Sequence, residues 1–215
     1  MQKTEEHLYQ IKKMEAEETN IQIIFQSENK GFSVLGCDKE SSGIERELQH
    51  KTLFFVLRGS LIIADKKMHS WSLQKGEYIL LPKGMMVRLH INPDTRYIDM
   101  KADQLVSPER ELCEHQVHKY DDFIPVKGTG IVNRTILAGS HSVFMTMLLS
   151  KDAGPIQYTL PGKSMLFVLE GRGEIFYKKQ RHQIFEGQKR SLAKGGHFMV
   201  KAKDGLKTVL LITLA

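Results

Sequence analysis

Short apolar runs recur along most of the chain, and polar or turn-forming residues separate them. Runs of this length, with turns about every 8–12 residues, are typical of a β-sandwich or a β-barrel. Examples of predicted strands in the first half are residues 21–26, 32–36, 52–57, 60–64, 77–81 and 95–100. Those of the second half are residues 131–137, 143–149, 165–169, 173–178, 189–193 and 208–214. We therefore predict an all-β chain from residue 21 onward.

Helical spacing is limited to the N-terminal residues 1–20. Thr4 is a suitable N-cap, and Leu8, Ile11 and Met14 fall on one face of a helix. An isolated helix of this length is marginal in water. We expect it to pack on the β-structure or on a partner subunit.

The chain repeats itself internally. Residues 53–59, LFFVLRG, return 112 positions later as residues 165–171, MLFVLEG. A second matched segment begins at Gly76 in the first copy and at Gly187 in the second. A repeat of this kind predicts two copies of one structural unit.

The repeat divides the 215 residues into successive parts. After the N-terminal helix we predict a first barrel at residues 21–102, a polar linker at 103–118 and a second barrel at 119–215. The linker contains Pro108, after which one helical turn is expected. Two barrels of about 100 residues each are large enough to form separate cores.

Composition and charge exclude several classes of protein. Hydrophobic residues make up 41% of the chain and charged residues 26%, which is ordinary for a globular protein. No apolar stretch approaches the roughly 18 residues of a membrane span, and the polar N-terminus lacks a signal-peptide core. The two cysteines, Cys37 and Cys113, do not form a CxxC pair. We expect a cytoplasmic protein with reduced thiols and no membrane partner.

The positive charge lies in the second half of the chain. Residues 119–215 have a net charge of +8 and residues 1–118 a net charge of −2. Such a half could attract an anionic ligand or nucleic acid, or it could form a solvated lysine-rich surface. The lysines are dispersed, and no segment has the length of a helix-turn-helix module. We therefore predict no nucleic-acid partner.

Two motifs give the chain a resemblance to the cupins, a superfamily of small jelly-roll barrels. The family's second motif is a glycine, five residues, a proline, one residue and a glycine. Residues 76–84, GEYILLPKG, match it fully, and residues 187–195 match it with Ala193 in place of proline. The Val-Leu-x-Gly that precedes each copy is similar to the end of the family's first motif. The resemblance implies an all-β fold of two tandem cupin-type jelly-roll barrels, a bicupin.

The resemblance also implies where a metal site would lie. Cupins usually bind Fe, Mn, Ni or Zn through a His-x-His pair, a Glu and a further His. The four corresponding positions in the first half are Arg46, Leu48, Thr52 and Val87. In the second half they are Tyr158, Leu160, Ser164 and Phe198, with His197 one residue away. We therefore predict no metal cofactor, the alternative being Fe, Mn, Ni or Zn near His197 in the second barrel.

Two functional hypotheses follow. The first is a metal-free protein that binds a small molecule or has a structural or regulatory role, with Gln157, Tyr158, Ser164 and His197 as ligand-binding residues. Against a pocket stands the alternative that Tyr158 and Ser164 only satisfy local hydrogen bonds in a filled core. The second hypothesis is a divergent enzyme, a dioxygenase or an isomerase or lyase, with His197 and Tyr158 as catalytic residues.

Other features leave partners and sites open. His115 and His118 have a ligand-like spacing if helical, but they lie in the predicted linker. Residues 208–214 alternate little and predict a strand that is buried on both faces. Either a homodimer or a compact monomer would bury such a strand.

Overall fold

The computed structural model describes residues 21–27, 31–102, 113–120, 130–138 and 142–214. These residues form seventeen strands and no α-helix, which confirms the prediction of an all-β chain. No helix within these ranges is long and apolar enough to cross a membrane. The predicted N-terminal helix and the helical turn after Pro108 lie outside the described residues.

The described residues fall into two compact units. Unit 1 contains residues 21–102 and 113–119, and unit 2 contains residues 120–214. The end of the predicted linker therefore belongs to unit 1. It forms a short edge strand, and the indole of Trp71 donates a 2.8 Å hydrogen bond to the His115 carbonyl just before that strand.

Unit 1 consists of ten antiparallel strands in two sheets. The strands are β1 Ile21–Gln26, β2 Phe32–Cys37, β3 Ser41–Glu47, β4 Thr52–Arg58, β5 Ser60–Asp65, β6 Ser70–Gln74, β7 Glu77–Leu81, β8 Met86–Ile91, β9 Thr95–Lys101 and β10 Val117–Lys119. The first sheet has the order β1-β2-β9-β4-β7-β10 and the second the order β3-β8-β5-β6.

Strand β3 shows how the sequence positions the interior of unit 1. Side chains of a strand point alternately to the two faces of its sheet. Ile44 and Arg46 are accordingly buried, whereas Glu45 and Glu47 are exposed. Ile44 joins an apolar core cluster to which both sheets contribute, including Phe54 of β4. The core of unit 1 therefore lies between its two sheets.

The described residues of unit 2 form seven strands that are connected in one antiparallel sheet. They are β11 Ile131–Ala138, β12 Ser142–Leu149, β13 Ile156–Thr159, β14 Ser164–Tyr177, β15 Gln180–Phe185, β16 Lys189–Leu192 and β17 His197–Thr213. Their order is β11-β12-β17-β14-β15, with β13 paired to β17 and β16 to β14. Both halves of β17 contribute to one core, since Phe198 and Leu210 belong to the same apolar cluster. Residues 208–212 are all buried, as their lack of alternation predicts.

The glycines that end the first repeated segment have the same backbone conformation. Gly59 has a φ of 74° and Gly171 a φ of 83°, a region that other residues rarely adopt. A side chain at Gly171 would overlap the carbonyl oxygen of Gly205, and one at Gly59 would lie 2.8 Å from the Thr95 Cα. The repeat therefore preserves a glycine at both of these close backbone approaches.

Candidate functional site

The four cupin ligand positions of unit 1 face its interior. Leu48 and Val87 belong to the apolar core cluster, and Arg46 and Thr52 are buried. The Thr52 hydroxyl donates a 2.9 Å hydrogen bond to the carbonyl of His50. Two aliphatic groups, an engaged hydroxyl and a cation do not form a ligand set for Fe, Mn, Ni or Zn. The residues present in unit 1 do not fit a metal.

A buried ion pair lies inside unit 1 instead. Nη2 of Arg46 on β3 is 2.6 Å from Oδ2 of Asp99 on β9, and the two side chains are 7% and 3% exposed. The contact lacks the alignment of a hydrogen bond, so charge attraction holds it. The Arg46 guanidinium also lies 5.0 Å from the centre of the Phe54 ring, within cation–π range. Asp99 was not among the sequence-predicted site residues.

The corresponding positions of unit 2 carry no charge. Leu160 and Phe198 belong to its apolar core cluster, and Tyr158 packs against that cluster. Ser164 is buried, and its hydroxyl donates a 3.0 Å hydrogen bond to the Gly162 carbonyl. As in unit 1, these residues do not fit a transition metal, because two apolar groups and two hydroxyls are poor ligands.

Tyr158 is one of the polar groups of this interior, beside the buried hydroxyls of Ser164 and Thr208. Its ring stacks on Phe198 with 5.2 Å between the centroids and 20° between the planes. Burial raises its pKa to about 12, and the neighbouring Asn133 side chain partly opposes this rise. The phenol oxygen is buried and makes no hydrogen bond of ordinary geometry with the described residues. It therefore retains hydrogen-bonding capacity at an apolar surface.

Inward-facing side chains on the edge strands β11 and β13 of unit 2 are partly exposed to solvent. Ile131 and Asn133 are paired with the core residues Leu149 and Met147, so their side chains face inward. Ile131 is nevertheless 41% exposed, and Asn133 is also exposed. Partly buried apolar side chains that pack against the same core are Val143, Met145 and Ile156. The inner face of unit 2 is therefore partly exposed along β11 and β13.

Gln157 and His197 lie on the other side of their strands. Both are exposed, whereas their neighbours Tyr158 and Phe198 point into the core. His197 Nδ1 lies 2.9 Å from the Thr159 hydroxyl, and these two residues are register partners. The structure thus brings Tyr158 and Ser164 to the inner face but not Gln157 and His197.

The sequence analysis missed Asn133 on this inner face. The available signal was a polar residue within a predicted strand, at an inward position of its pairing with β12. Without that register, the position is indistinguishable from a solvent-facing asparagine.

The histidine pair of the predicted linker stacks on two different aromatic rings. The His115 ring lies 5.8 Å from that of Trp71, and the His118 ring lies 5.3 Å from that of Tyr78. Across the described ranges, no three His, Cys, Asp or Glu residues lie close enough together to hold a metal ion. Cys37 is buried and Cys113 exposed, and neither forms a disulfide bond.

Comparisons with known proteins identify the fold. No protein-family model matches the chain, and no curated protein matches its sequence. A cupin 2 conserved barrel domain protein from Leptotrichia buccalis is similar in structure, with a TM-score of 0.69 and 13% identity over 90% of this chain and 88% of that one.

Two further solved structures have the same likeness. A mutant salicylate 1,2-dioxygenase from Pseudoaminobacter salicylatoxidans has a TM-score of 0.59 and 9% identity over 84% of this chain and 69% of that one. A Pseudomonas aeruginosa protein named for its induction by glyoxylate has a TM-score of 0.63 and 15% identity over 90% and 80%. The chain therefore has the jelly-roll fold of cupin-barrel proteins, which confirms the predicted fold.

Proposed function

We propose that the chain is a two-barrel protein of the cupin type whose second barrel binds a small, uncharged and largely apolar molecule without a metal. One observation carries the proposal. The buried phenol of Tyr158 lies on a largely apolar inner face whose side chains on β11 and β13 are partly exposed to solvent. Apolar walls with a few polar groups are the usual composition of a small-molecule site.

The ligand's polarity follows from the residues around Tyr158. The described side chains that pack against the same core cluster are apolar apart from the phenol of Tyr177, and Asn133 adds a neutral amide. A carboxylate or ammonium group placed there would lose its hydration without gaining a counter-charge, which is costly. A hydroxyl or carbonyl group could instead exchange a hydrogen bond with the phenol. The expected ligand is therefore neutral, with one such group on an apolar body.

The donor set also disfavours a metal-dependent reaction at this position. Tyr158, Leu160, Ser164 and Phe198 are not ligands that Fe, Mn, Ni or Zn would select. His197 lies on the outer face, one residue from the inward Phe198. The proposal therefore rests on Tyr158, with Ser164 and Asn133 as neighbouring polar groups, and assigns no role to His197 or Gln157.

Titration with Nile red tests the proposal. This dye is neutral and apolar, carries a carbonyl group, and brightens when it leaves water. We expect saturable binding to the full chain. Tyr158→Phe keeps the stack on Phe198 and removes one hydrogen bond, so it should weaken binding about fivefold, the equivalent of roughly 1 kcal/mol.

A pair of adjacent substitutions provides the control. Ile156→Asp places a charge on the accessible inner face and should abolish dye binding, whereas Gln157→Asp places the same charge on the outer face and should leave binding unchanged. Circular dichroism would establish that both variants are folded. Equal dye binding by the two folded variants would show that the interior of unit 2 is not the site.

A further inference from the structure

The cupin ligand positions of unit 1 span both of its sheets. Arg46 on β3 and Val87 on β8 belong to one sheet, whereas Thr52 begins β4 in the other. A metal ion held by these positions would be a positive centre that connects the two sheets. The side chains present cannot hold such an ion, as the donor set shows.

The ion pair of unit 1 makes the same kind of connection. Arg46 starts from the metal-ligand position on β3 and reaches Asp99 on β9, in the opposite sheet, at 2.6 Å. The Phe54 ring on β4 supports the guanidinium at 5.0 Å. One arginine therefore places a permanent positive charge in the interior and contacts both sheets.

We infer that the Arg46 guanidinium, held by Asp99, replaces the metal ion of a cupin-type barrel as the positive centre that joins the two sheets of unit 1. Unit 1 then needs no metal to fold. This inference concerns unit 1 alone and is independent of ligand binding by unit 2.

Because the pair is buried, the loss of one partner should destabilise unit 1 much more than the replacement of both partners. An arginine or a carboxylate that loses its partner in such a place becomes an isolated buried charge, whereas replacement of both by apolar residues of similar size removes the desolvation cost as well. The Arg46 Nε makes no hydrogen bond with the described residues, so the guanidinium depends strongly on Asp99. The two substitutions should therefore be strongly coupled.

A double-mutant cycle in urea tests this coupling. Arg46→Met alone and Asp99→Leu alone should each lower the folding equilibrium constant on the order of 10²- to 10³-fold. The double variant should lie within about tenfold of the original protein. Single variants that do not fold, beside a double variant that does, would give the same answer.

An exposed ion pair on the same sheet provides the control. Arg88 on β8 pairs with Glu45 on β3, and their side chains are 64% and 48% exposed. Arg88→Met should change the folding equilibrium constant less than about fivefold. Additive losses in the Arg46 and Asp99 cycle, single losses no larger than this control, or a double variant that does not fold would each overturn the inference.

A metal titration tests the replacement itself. The unfolding temperature should stay the same after chelation, and excess Mn²⁺, Ni²⁺ or Zn²⁺ should not raise it. A metal-dependent rise that disappears in the folded double variant would mean that a metal binds at Asp99, and it would overturn the inference.

Discussion

One position of the repeat has different roles in the two units. Arg46 on β3 and Tyr158 on β13 occupy the same cupin ligand position and both face an interior. The Arg46 guanidinium contacts Asp99 and Phe54, whereas Tyr158 lies on a largely apolar face that is partly exposed along β11 and β13. The same position thus holds a buried ion pair in one unit and, as we propose, part of a ligand-binding surface in the other.

The residue opposite this position explains the difference. In unit 1, Phe54 pairs with Asp99, and 112 residues later Leu166 pairs with Leu210. Unit 2 therefore has a buried leucine where unit 1 has the carboxylate. An arginine in place of Tyr158 would find no counter-charge there, so the uncharged tyrosine suits its unit.

The first described strands of the two units also differ in how much of an inward-facing side chain is exposed to solvent. Ile21 on β1 and Ile131 on β11 both pair with core residues, Cys37 and Leu149. Ile21 is only 4% exposed, whereas Ile131 is 41% exposed. The inward-facing position on this strand is therefore more exposed in unit 2 than in unit 1, which is why we propose ligand binding for unit 2.

A transfer of the ion pair into unit 2 should have the largest effect. Leu210→Asp alone buries an unpaired carboxylate and should cost about 3–5 kcal/mol of unfolding free energy. Addition of Tyr158→Arg should recover at least about 1 kcal/mol if the two positions are equivalent to Asp99 and Arg46. Urea denaturation measures both changes. No recovery in the double variant would show that the two interiors are not equivalent at these positions.

The internal repeat predicted the fold because turns and strands depend mainly on residues that are close together in the sequence. The glycines and apolar runs of each copy specify turns and strands through neighbouring residues, and a count from Gly59 or Gly171 reached positions that face the interiors. The direction of His197 depended on the turn before β17, where a shift of one residue changes the face of the strand. The sequence left that shift open, and the structure places His197 outward.

Partners that are distant in the chain could not be predicted in this way. Asp99 lies between the apolar residues Ile98 and Met100, which indicates a buried charge, but its pairing with Arg46 depends on how the two sheets face each other. Strand β10 was missed for a different reason. Three residues, Val117–Lys119, are too few to show any alternation.

Matched truncations should measure how closed each interior is. Ile44 and Ile156 each lie two residues before the shared position, and Ile44 is 7% exposed whereas Ile156 is only partly buried. Ile44→Ala should cost about 2–4 kcal/mol, because it leaves a cavity in a sealed core. Ile156→Ala should cost about 1 kcal/mol or less, since solvent already reaches that side chain. Equal losses in urea denaturation would contradict an open second barrel.

The smallest expected effect is a difference in pKa between the interior tyrosines of the two units, which alkaline titration should detect. Burial raises the pKa of Tyr158 to about 12 from the ordinary value of 10.0, and it raises the pKa of the fully buried Tyr97 further. Because the folded pKa of Tyr158 lies above the unfolded value, its neutral phenol stabilises the fold fully below pH 10, and this contribution is lost as the pH rises toward 12. Tyr158→Phe should therefore lose less stability than the original protein over this interval, as measured by urea midpoints.

The absorbance change of tyrosine ionisation, compared with that of Tyr97→Phe, should show Tyr158 ionising first. The reverse order would mean that Tyr158, not Tyr97, lies in the more closed interior.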